Sequence, residues 1–462
     1  MHALRIGLIV FMTLLILFPE NLTKSASQQA KEILDSHEES QLYRHFFSQQ
    51  VNQIDSLMQR FRNVNRFNGV VLVAKHHEII YENAFGFADA SRKEPLNTHS
   101  VFQLASVSKQ FTAIAILMLH EKGRIDIDDK LVRYIPELPY SDVTIRHLLN
   151  HTSGVPDYMG ITEQMWTHEN NPDNEAMISL LVQSNLPLNF TPGKRFHYSN
   201  TGYALLASVI ERVTDKSFSA FLRNNILNPL GMRNTATWPE LADSTSVIRH
   251  VVSGHRSTRR GMRAIETDVN DRITGDKGLF STLHDLFKWD QALYDNRLVS
   301  EKLMANAISP ATLGNRRKIP YGFGFRLGKR DGVPLVYHHG MWNGFRTSFF
   351  RYVSEGNTIV ILNNANQSIN TQIIREIENI ISGPITFTPA QQLAISLMNY
   401  SIDDALSLAR EIDKTENSDD KVAIELKEIA YLLSQMNKPV LSHQMLQLSE
   451  FIAHGATLAD QN

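Results

Sequence analysis

Residues 102–111 read FQLASVSKQF, and they open the most apolar segment that follows the N-terminal residues. Ser106 stands three residues before Lys109, and apolar residues continue to Met118, which predicts a helix beginning at this point. Side chains at this spacing lie one turn apart on the same helix face. An amine placed there can take a proton from a serine hydroxyl. By itself the pair is more typical of a helix cap followed by a solvated lysine. Whether it is catalytic depends on other motifs in the chain.

The composition describes a chain that can bury a large core. Of its 462 residues, 42% are hydrophobic and 20% are charged, which predicts one large domain and a smaller second one. The formal net charge of −2 at pH 7 gives no general reason to expect nucleic acid as a partner. Cysteine is absent from the sequence, which excludes disulfides, thiol catalysis and thiolate metal sites.

The N-terminus has the three-part form of a secretory signal. Residues 1–5 carry positive charge, residues 6–18 are an unbroken apolar run, and Pro19 and Asn21 break it. The run is about a dozen residues long, whereas a helix needs roughly 20 to span a bilayer. We therefore predict export to the periplasm or the cell exterior with cleavage of residues 1–27. An uncleaved N-terminus that tethers the protein to the membrane is the alternative.

Strand signals lie at both ends of the central region, and helical patterns fill residues 159–237 between them. Five strands are predicted, at residues 70–74, 79–81, 333–337, 346–352 and 358–362. This order predicts an α+β fold, with a five-stranded antiparallel sheet flanked by helices and an inserted all-helical lobe. We assign residues 67–383 to this domain.

The flanking segments are predicted to be helical. In residues 28–66, a helical lead-in, Ile54, Met58 and Phe61 recur at spacings of four and three. Residues 384–462 show three or four amphipathic helical patterns, the last two faintly resembling a tetratricopeptide helix pair. Because one such pair cannot bury its own apolar face, we expect this C-terminal extension to pack on the central domain. Docking of a partner protein is the alternative.

Two further short motifs occur in the central domain. Tyr198 and Asn200 are two residues apart behind a turn, so an extended backbone directs both side chains to the same side. His338 and Gly340 stand at the end of the third predicted strand. Each motif alone is common in unrelated proteins. In the predicted fold, the Ser106 helix, the Tyr198 loop and the His338 strand end could line one cleft.

The order of these motifs resembles a known series. Ser106-x-x-Lys109, Tyr198-x-Asn200 and His338-x-Gly340 are similar to the motifs of the serine β-lactamase and penicillin-binding protein superfamily. The flanking stretches are similar to the class C β-lactamase-related branch, which includes esterases and D-amino-acid peptidases: LLNHTSG at 148–154, PLGM at 229–232 and GLFST at 278–282. The resemblance extends over residues 67–381, most of the chain.

The resemblance implies a serine hydrolase that forms an acyl-enzyme at Ser106. It implies that Lys109 and Tyr198 share the work of general base, and a nearby lysine cation would favour the tyrosinate form. Which of the two is the base stays open, because the groups titrate as a coupled pair. Asn200 is implied to hydrogen-bond Lys109 and a substrate amide. The implied oxyanion hole consists of the backbone N–H groups of Ser106 and Met341.

The third motif bears on the substrate. Class C β-lactamases usually have lysine where this chain has His338, and histidine is a weaker cation near neutral pH. With histidine at this position, the resemblance favours a peptidase or esterase over an efficient β-lactamase. The implied substrate is a small peptide or ester, which includes peptidoglycan-derived molecules. It implies no metal and no organic cofactor. The alternative is a non-catalytic binding protein of the same fold that uses its cleft and C-terminal helices.

Overall fold

The structure is a computed structural model that describes residues 42, 44–65, 67–243, 245–258, 261–295, 297–383, 387–399, 401–412, 419–436 and 438–454. Its internal contacts define two compact units. Residues 52–382 form the larger unit, and the described residues before 52 and from 383 onward form the smaller one. The predicted signal sequence at residues 1–27 lies outside the described residues. The domain boundaries drawn from the sequence stay predictions.

One antiparallel sheet of six strands organises the larger unit. The strands are β1 (Gly69–Lys75), β2 (Glu78–Phe85), β3 (Arg326–Arg330), β4 (Val333–Trp342), β5 (Phe345–Tyr352) and β6 (Asn357–Asn363). Their order across the sheet is β3-β4-β5-β6-β1-β2, and all neighbours run antiparallel. The last strand, β6, pairs with the first, with Val71 opposite Ile361. Distant parts of the chain are thereby joined in one sheet.

The predicted α+β class is confirmed, but the expected number of five strands is wrong. The additional strand is β3, whose sequence is Arg-Leu-Gly-Lys-Arg and whose residues are all at least partly exposed. It lies at the edge of the sheet and pairs only with β4. An edge strand of this kind buries little apolar surface, so it has no hydrophobic run to mark it in the sequence.

Helices cover the sheet and form the inserted lobe. Their bounds are α1 (Ser48–Asn65), α2 (Lys109–Glu121), α3 (Ile145–Leu149), α4 (Tyr158–Met165), α5 (Asn174–Ser184), α6 (Asn200–Thr214), α7 (Phe218–Leu222), α8 (Trp238–Ala242), α9 (Leu283–Ala292), α10 (Glu301–Ala307) and α11 (Asn370–Ile381). Every residue of α2 from Lys109 to Leu119 is buried. A helix that is apolar on all sides is expected in the core, and α2 occupies that position.

Short strand pairs connect the loops around this core. Phe102–Gln103 and Ala236–Thr237 both pair with Leu279–Ser281 in a small three-stranded sheet. Three two-stranded ribbons join Phe87–Asp89 to Glu94–Pro95, His255–Thr258 to Gly261–Ala264, and Ala311–Thr312 to Lys318–Ile319. The three-stranded sheet matters most for the site, because it fixes the chain just before Ser106.

The smaller unit contains four helices of the C-terminal extension, α12 (Pro389–Asn399), α13 (Ile402–Ile412), α14 (Asp419–Gln435) and α15 (Pro439–His454). They share a hydrophobic core that also includes Leu42, with Leu393, Leu406, Leu426 and Leu448 among its buried members. The extension therefore buries apolar surface of its own. Across the part of the chain that the structure describes, no helix has the length and apolar character needed to cross a membrane.

Candidate active site

Ser106 lies in a single 3₁₀ turn, Ala105–Ser108, that leads directly into α2. The chain just before it is fixed by the backbone N–H of Leu104, which donates to the carbonyl of Leu279 at 2.7 Å. Ala105 has a φ of 49°, in the left-handed region that residues with a Cβ rarely adopt. Backbone of this kind costs on the order of 1–3 kcal/mol and is concentrated at functional sites. The surrounding structure therefore holds the serine in a strained turn.

The Lys109 side chain is fully buried behind Ser106. Its Nζ lies 3.2 Å from the Ser106 Oγ, 2.8 Å from the Asn200 Oδ1 and 2.8 Å from the main-chain oxygen of Asp276. Burial lowers the pKa of Lys109 to about 7, the Asp276 carboxylate opposes that shift, and Arg326 adds to it. A large share of this amine is therefore neutral near pH 7, with a lone pair available to a proton.

Tyr198 lies beside Lys109, whose Nζ is 4.9 Å from the centre of the tyrosine ring. Within the described residues its buried hydroxyl has no partner at hydrogen-bond geometry. Burial raises the pKa of Tyr198 above its ordinary value, and the hydroxyl of Ser106 and the charge of Arg326 offset only part of that effect. A lysine cation would favour tyrosinate, but desolvation outweighs the nearby charges in setting the pKa of Tyr198. At neutral pH this side chain is a phenol with a proton to donate.

An aromatic cluster holds the Tyr198 ring. The ring of His151 lies 4.3 Å from that of Tyr198 and 4.6 Å from that of Tyr321. The backbone N–H of Ser199 donates to the His151 Nδ1 at 3.1 Å, which ties the Tyr198 loop to the histidine. The sequence showed His151 only as part of a similar flank. Its packing against Tyr198 joins residues 47 positions apart, which local patterns do not reveal.

Asn200 begins α6, and its position is set by a helix cap. The Ser199 side chain caps the helix by accepting from the backbone N–H of Gly202 at 3.1 Å. The Asn200 Oδ1 then accepts from Lys109, as the family resemblance implies for this pair. The cap thus fixes the start of α6, and with it the Asn200 side chain that accepts from the buried amine.

His338 is buried on β4, and its Nε2 lies 3.1 Å from the hydroxyl of Tyr321. Burial lowers the pKa of His338 well below its ordinary value, and the nearby charges of Lys109 and Arg326 lower it further. The imidazole is therefore neutral at pH 7. It is a hydrogen-bonding group rather than a fixed cation for a substrate carboxylate.

Gly340 lets β4 touch the turn that carries Ser106. A Cβ at this position would stand 2.2 Å from the Thr347 Oγ1 and 2.3 Å from the carbonyl oxygen of Leu104. The Thr347 hydroxyl also donates to that carbonyl at 2.7 Å, which fastens β5 to the same turn. This close approach places β4 against the turn that carries Ser106, and Met341 is the next residue along the strand. Met341 is 60% exposed, and its part in an oxyanion hole stays a prediction.

A second buried lysine lies behind the first. The Lys277 Nζ donates to the Tyr158 hydroxyl at 2.6 Å and lies 3.7 Å from the Asp276 Oδ1. Burial lowers the pKa of Lys277, and Asp276 opposes that shift. The Tyr158 hydroxyl donates to the Asp276 Oδ2 at 3.1 Å. These contacts fix Asp276, whose main-chain oxygen accepts from Lys109.

Trp342 joins this network from the strand side. The Lys277 Nζ lies 4.9 Å from the centre of the Trp342 ring, and the indole N–H donates to the Asp271 Oδ1 at 2.5 Å. The side chain is thereby held in place beside the second lysine. Asp276 and Lys277 directly precede the flank at residues 278–282, and no sequence motif identifies them as part of the site.

Arg326 is a further residue that the sequence did not identify. Its guanidinium lies 5.3 Å from the centre of the Tyr198 ring and 5.9 Å from that of Tyr321. It also influences the charge of Lys109, Tyr198 and His338. The sequence signal that could have found Arg326 is PYGFGFR at residues 320–326, in which glycine and aromatic residues alternate. This stretch precedes β4, the strand that carries His338 and Gly340.

Residues 54–378 match the family model described as Beta-lactamase. The chain belongs to the beta-lactamase family. It is 37% identical over 343 residues to penicillin-binding protein 4* of Bacillus subtilis (strain 168), covering 71% of this chain and 76% of that protein. Over 310 residues it is 26% identical to a D-aminopeptidase of Gluconobacter oxydans (strain 621H), covering 66% of this chain and 58% of that enzyme.

A solved structure supports the same assignment. The crystal structure of a penicillin-binding protein from Bacillus halodurans matches with a TM-score of 0.61 and 25% identity, covering 71% of this chain and 98% of the other. The resemblance drawn from the motif order is therefore confirmed. The family model and the D-aminopeptidase relative also support the class of enzyme, a serine hydrolase of the beta-lactamase fold.

Proposed function

We propose that this beta-lactamase family member is an exported hydrolase that cleaves an amide or ester bond through an acyl-enzyme at Ser106. The observation that carries the proposal is the buried Lys109 amine, with a pKa of about 7, at 3.2 Å from the Ser106 hydroxyl. A serine hydroxyl needs a neighbouring base to act as a nucleophile near neutral pH. The export part of the proposal rests on the signal-like pattern of residues 1–27.

In the first half-reaction, Lys109 takes the Ser106 proton while the Oγ attacks the substrate carbonyl carbon. The backbone N–H groups of Ser106 and Met341 stabilise the oxyanion. Tyr198 protonates the leaving nitrogen or oxygen as that bond to the carbonyl breaks. The phenolate then recovers a proton from the Lys109 ammonium, whose Nζ lies 4.9 Å from the centre of the tyrosine ring. The first product departs with the proton it received.

In the second half-reaction, water attacks the acyl carbon and gives up a proton to the same basic pair. The bond to the Ser106 Oγ breaks, and the serine recovers its proton. The opposite pKa shifts of Lys109 and Tyr198 support this division of labour, with the lysine as base and the tyrosine as proton donor. Asn200 holds the Lys109 Nζ in line through its Oδ1.

We propose small peptides, amides or esters with an N-terminal D-amino acid as the substrate class. Relatives named penicillin-binding protein and D-aminopeptidase support this choice. The neutral, buried His338 supports peptidase or esterase activity over efficient hydrolysis of penicillins, because it offers no fixed charge where class C β-lactamases place a lysine.

The test is covalent labelling of the purified full chain by a fluorescent, serine-directed fluorophosphonate, together with turnover of p-nitrophenyl acetate and D-alanine p-nitroanilide. The wild type should be labelled and Ser106→Ala should not. Ser108→Ala is the matched control, since the Ser108 Oγ is buried and accepts from the backbone N–H of Leu279 at 3.2 Å. If the folded wild type takes no label and turns over neither compound, the proposal is wrong, and the binding-protein alternative gains support.

A further inference from the structure

A cavity of about 420 Å³ lies between two loops and the edge strand of the sheet. Four cationic side chains line it, together with the rings of Phe196 and Tyr321: Lys194, Arg195, Arg317 and Arg326. No carboxylate is among its lining residues. The size is that of a site for a small molecule or part of one.

Among the described residues, none of the four cations forms an ion pair with an acidic side chain. Elsewhere in the larger unit, arginines form ion pairs, as Arg212 does with Glu137 and Glu175 at 2.7 Å. Like charges that converge on one concave wall repel each other and raise the local concentration of anions. An unpaired arrangement of this kind is suited to a negatively charged ligand.

The two cationic loops are fastened together. The backbone N–H of Gly314 donates to the carbonyl of Gly193 at 3.0 Å, which brings the loop of Arg317 to the loop of Lys194. The Lys194 Nζ lies close to Gly314, at 3.6 Å from where a Cβ would stand. The cations therefore converge through a main-chain contact and not only through long, flexible side chains.

The cavity shares a wall with the reaction centre. Arg326 lines it and also lies over the Tyr198 ring at 5.3 Å, and Tyr321 lines it and lies 3.1 Å from the His338 Nε2. In the proposed reaction Tyr198 gives its proton to the leaving atom. Because Arg326 and Tyr321 adjoin the Tyr198 ring and also line the cavity, the cavity lies on the leaving side of the site.

We propose that this cavity binds an anionic group on the leaving side of the substrate, so that the enzyme prefers amides and esters whose departing part carries a carboxylate or a phosphate. The proposal rests on the proposed function and specifies its substrate class. Guanidinium groups bind both anions through paired N–H donors, and lysine adds a point charge. Phe196 and Tyr321 provide apolar surface for the uncharged part of the same group.

The experiment compares three substrates that differ only in leaving-side charge: D-alanyl-aspartate amide, D-alanyl-phosphoserine amide and D-alanyl-asparagine amide. We measure kcat/KM with the full chain and Kd by calorimetry with Ser106→Ala. The acidic compounds should have a kcat/KM about tenfold or more higher, and a Kd about tenfold or more lower, than the neutral one. The acidic compound with the higher kcat/KM and the lower Kd identifies carboxylate or phosphate as the preferred group. High salt should reduce the preference, because these charges are partly solvated.

Two variants locate the effect. Replacing both Lys194 and Arg317 by alanine should move the ratio of acidic to neutral substrate toward one. Arg233→Ala removes an exposed arginine outside the cavity and should keep the wild-type ratio. Equal values for acidic and neutral compounds, or a ratio that survives loss of Lys194 and Arg317, would overturn the proposal.

The two proposals fail in different ways. A wild type that is labelled at Ser106 but shows no charge preference overturns the anion site and leaves the hydrolase standing. A chain that is not labelled overturns the hydrolase, and the titration of Ser106→Ala then decides whether the cavity holds anions.

Discussion

The Lys109 Nζ lies 3.2 Å from the Ser106 Oγ, and the lysine side chain that carries it is fully buried. Its two other close neighbours, the Asn200 Oδ1 and the Asp276 main-chain oxygen, are both acceptors. A neutral amine can donate its two N–H bonds to them and direct its lone pair at the serine. Burial makes that neutral form accessible by lowering the pKa to about 7. The neutral Lys109 amine is thus positioned to remove the Ser106 hydroxyl proton.

The rate of Ser106 acylation should therefore depend on pH through Lys109. Because only the neutral amine accepts the proton, the rate should rise about tenfold per pH unit at low pH and level off above about pH 7. Fluorophosphonate labelling followed across this range measures it. Lys109→Arg should lower the plateau by about 10²–10⁴-fold and remove the rise, because a guanidinium stays protonated throughout. A wild-type rate that does not vary with pH would contradict the assignment of Lys109 as base.

Two substitutions should shift this profile in opposite directions. The Asp276 carboxylate raises the pKa of Lys109, so Asp276→Asn should move the rising limb to lower pH. Arg326 lowers the same pKa, so Arg326→Gln should move the limb to higher pH. The measurement is the labelling rate as a function of pH for each variant beside the wild type. Shifts of the same sign in both variants would show that charge at these positions does not tune the amine.

The Asp276 variant needs a control for folding. Asp276→Asn leaves the buried Lys277 without its counter-ion, and breaking a buried pair in this way costs about 3–5 kcal/mol. Replacing Lys277 by methionine at the same time removes the unpaired charge. The double variant should recover much of the Tm that Asp276→Asn loses. The rising limb of its labelling rate against pH should stay at the lower pH found for Asp276→Asn. A Tm no higher than that of Asp276→Asn would mean that the unpaired Lys277 charge is not what destabilises the single variant.

The sequence predicts those parts of the site that lie in short segments. Ser106 and Lys109 are three residues apart, and Tyr198 and Asn200 are two apart, so spacing and order reveal them. The contact between Lys109 and Asp276 joins residues 167 positions apart and depends on a main-chain oxygen, which has no residue type to recognise. Arg326 is similarly hidden, because its position over the Tyr198 ring joins distant parts of the chain.

Burial is the second reason why the sequence alone does not predict the site, because it changes the charge states of the side chains. The motif alone suggests that His338 is a weak cation and that Tyr198 ionises beside a lysine. Both expectations treat the groups as if they were in water. In the folded chain, desolvation lowers the pKa of His338 and raises that of Tyr198, and both side chains are neutral at pH 7. Which groups are removed from water is set by packing across distant segments.

Gly340→Ala should impair acylation. The new Cβ would meet the Thr347 Oγ1 and the Leu104 carbonyl, so β4 must move away from the turn that carries Ser106. Displacing the Met341 N–H from the oxyanion should cost about 10²–10³ in acylation rate. Gly328→Ala on β3 is the matched control, because its Cβ would stand 3.5 Å from the Tyr337 ring, an ordinary contact. Equal rates for the two variants would show that this close approach does not position the donor.

Tyr198→Phe should separate amide from ester substrates. The phenol delivers a proton to the leaving atom, and an amide nitrogen cannot depart without one, whereas p-nitrophenolate can. We therefore expect kcat/KM for D-alanine p-nitroanilide to fall by about 10²–10⁴ and that for p-nitrophenyl acetate to fall much less. Within the described residues the Tyr198 hydroxyl has no partner at hydrogen-bond geometry, so its removal breaks no well-formed hydrogen bond. The free energy of unfolding should then change by no more than about 0.5 kcal/mol, which denaturant titration measures. Equal losses on both substrates in a stably folded variant would show that Tyr198 acts in the attack on the carbonyl and not on the leaving group.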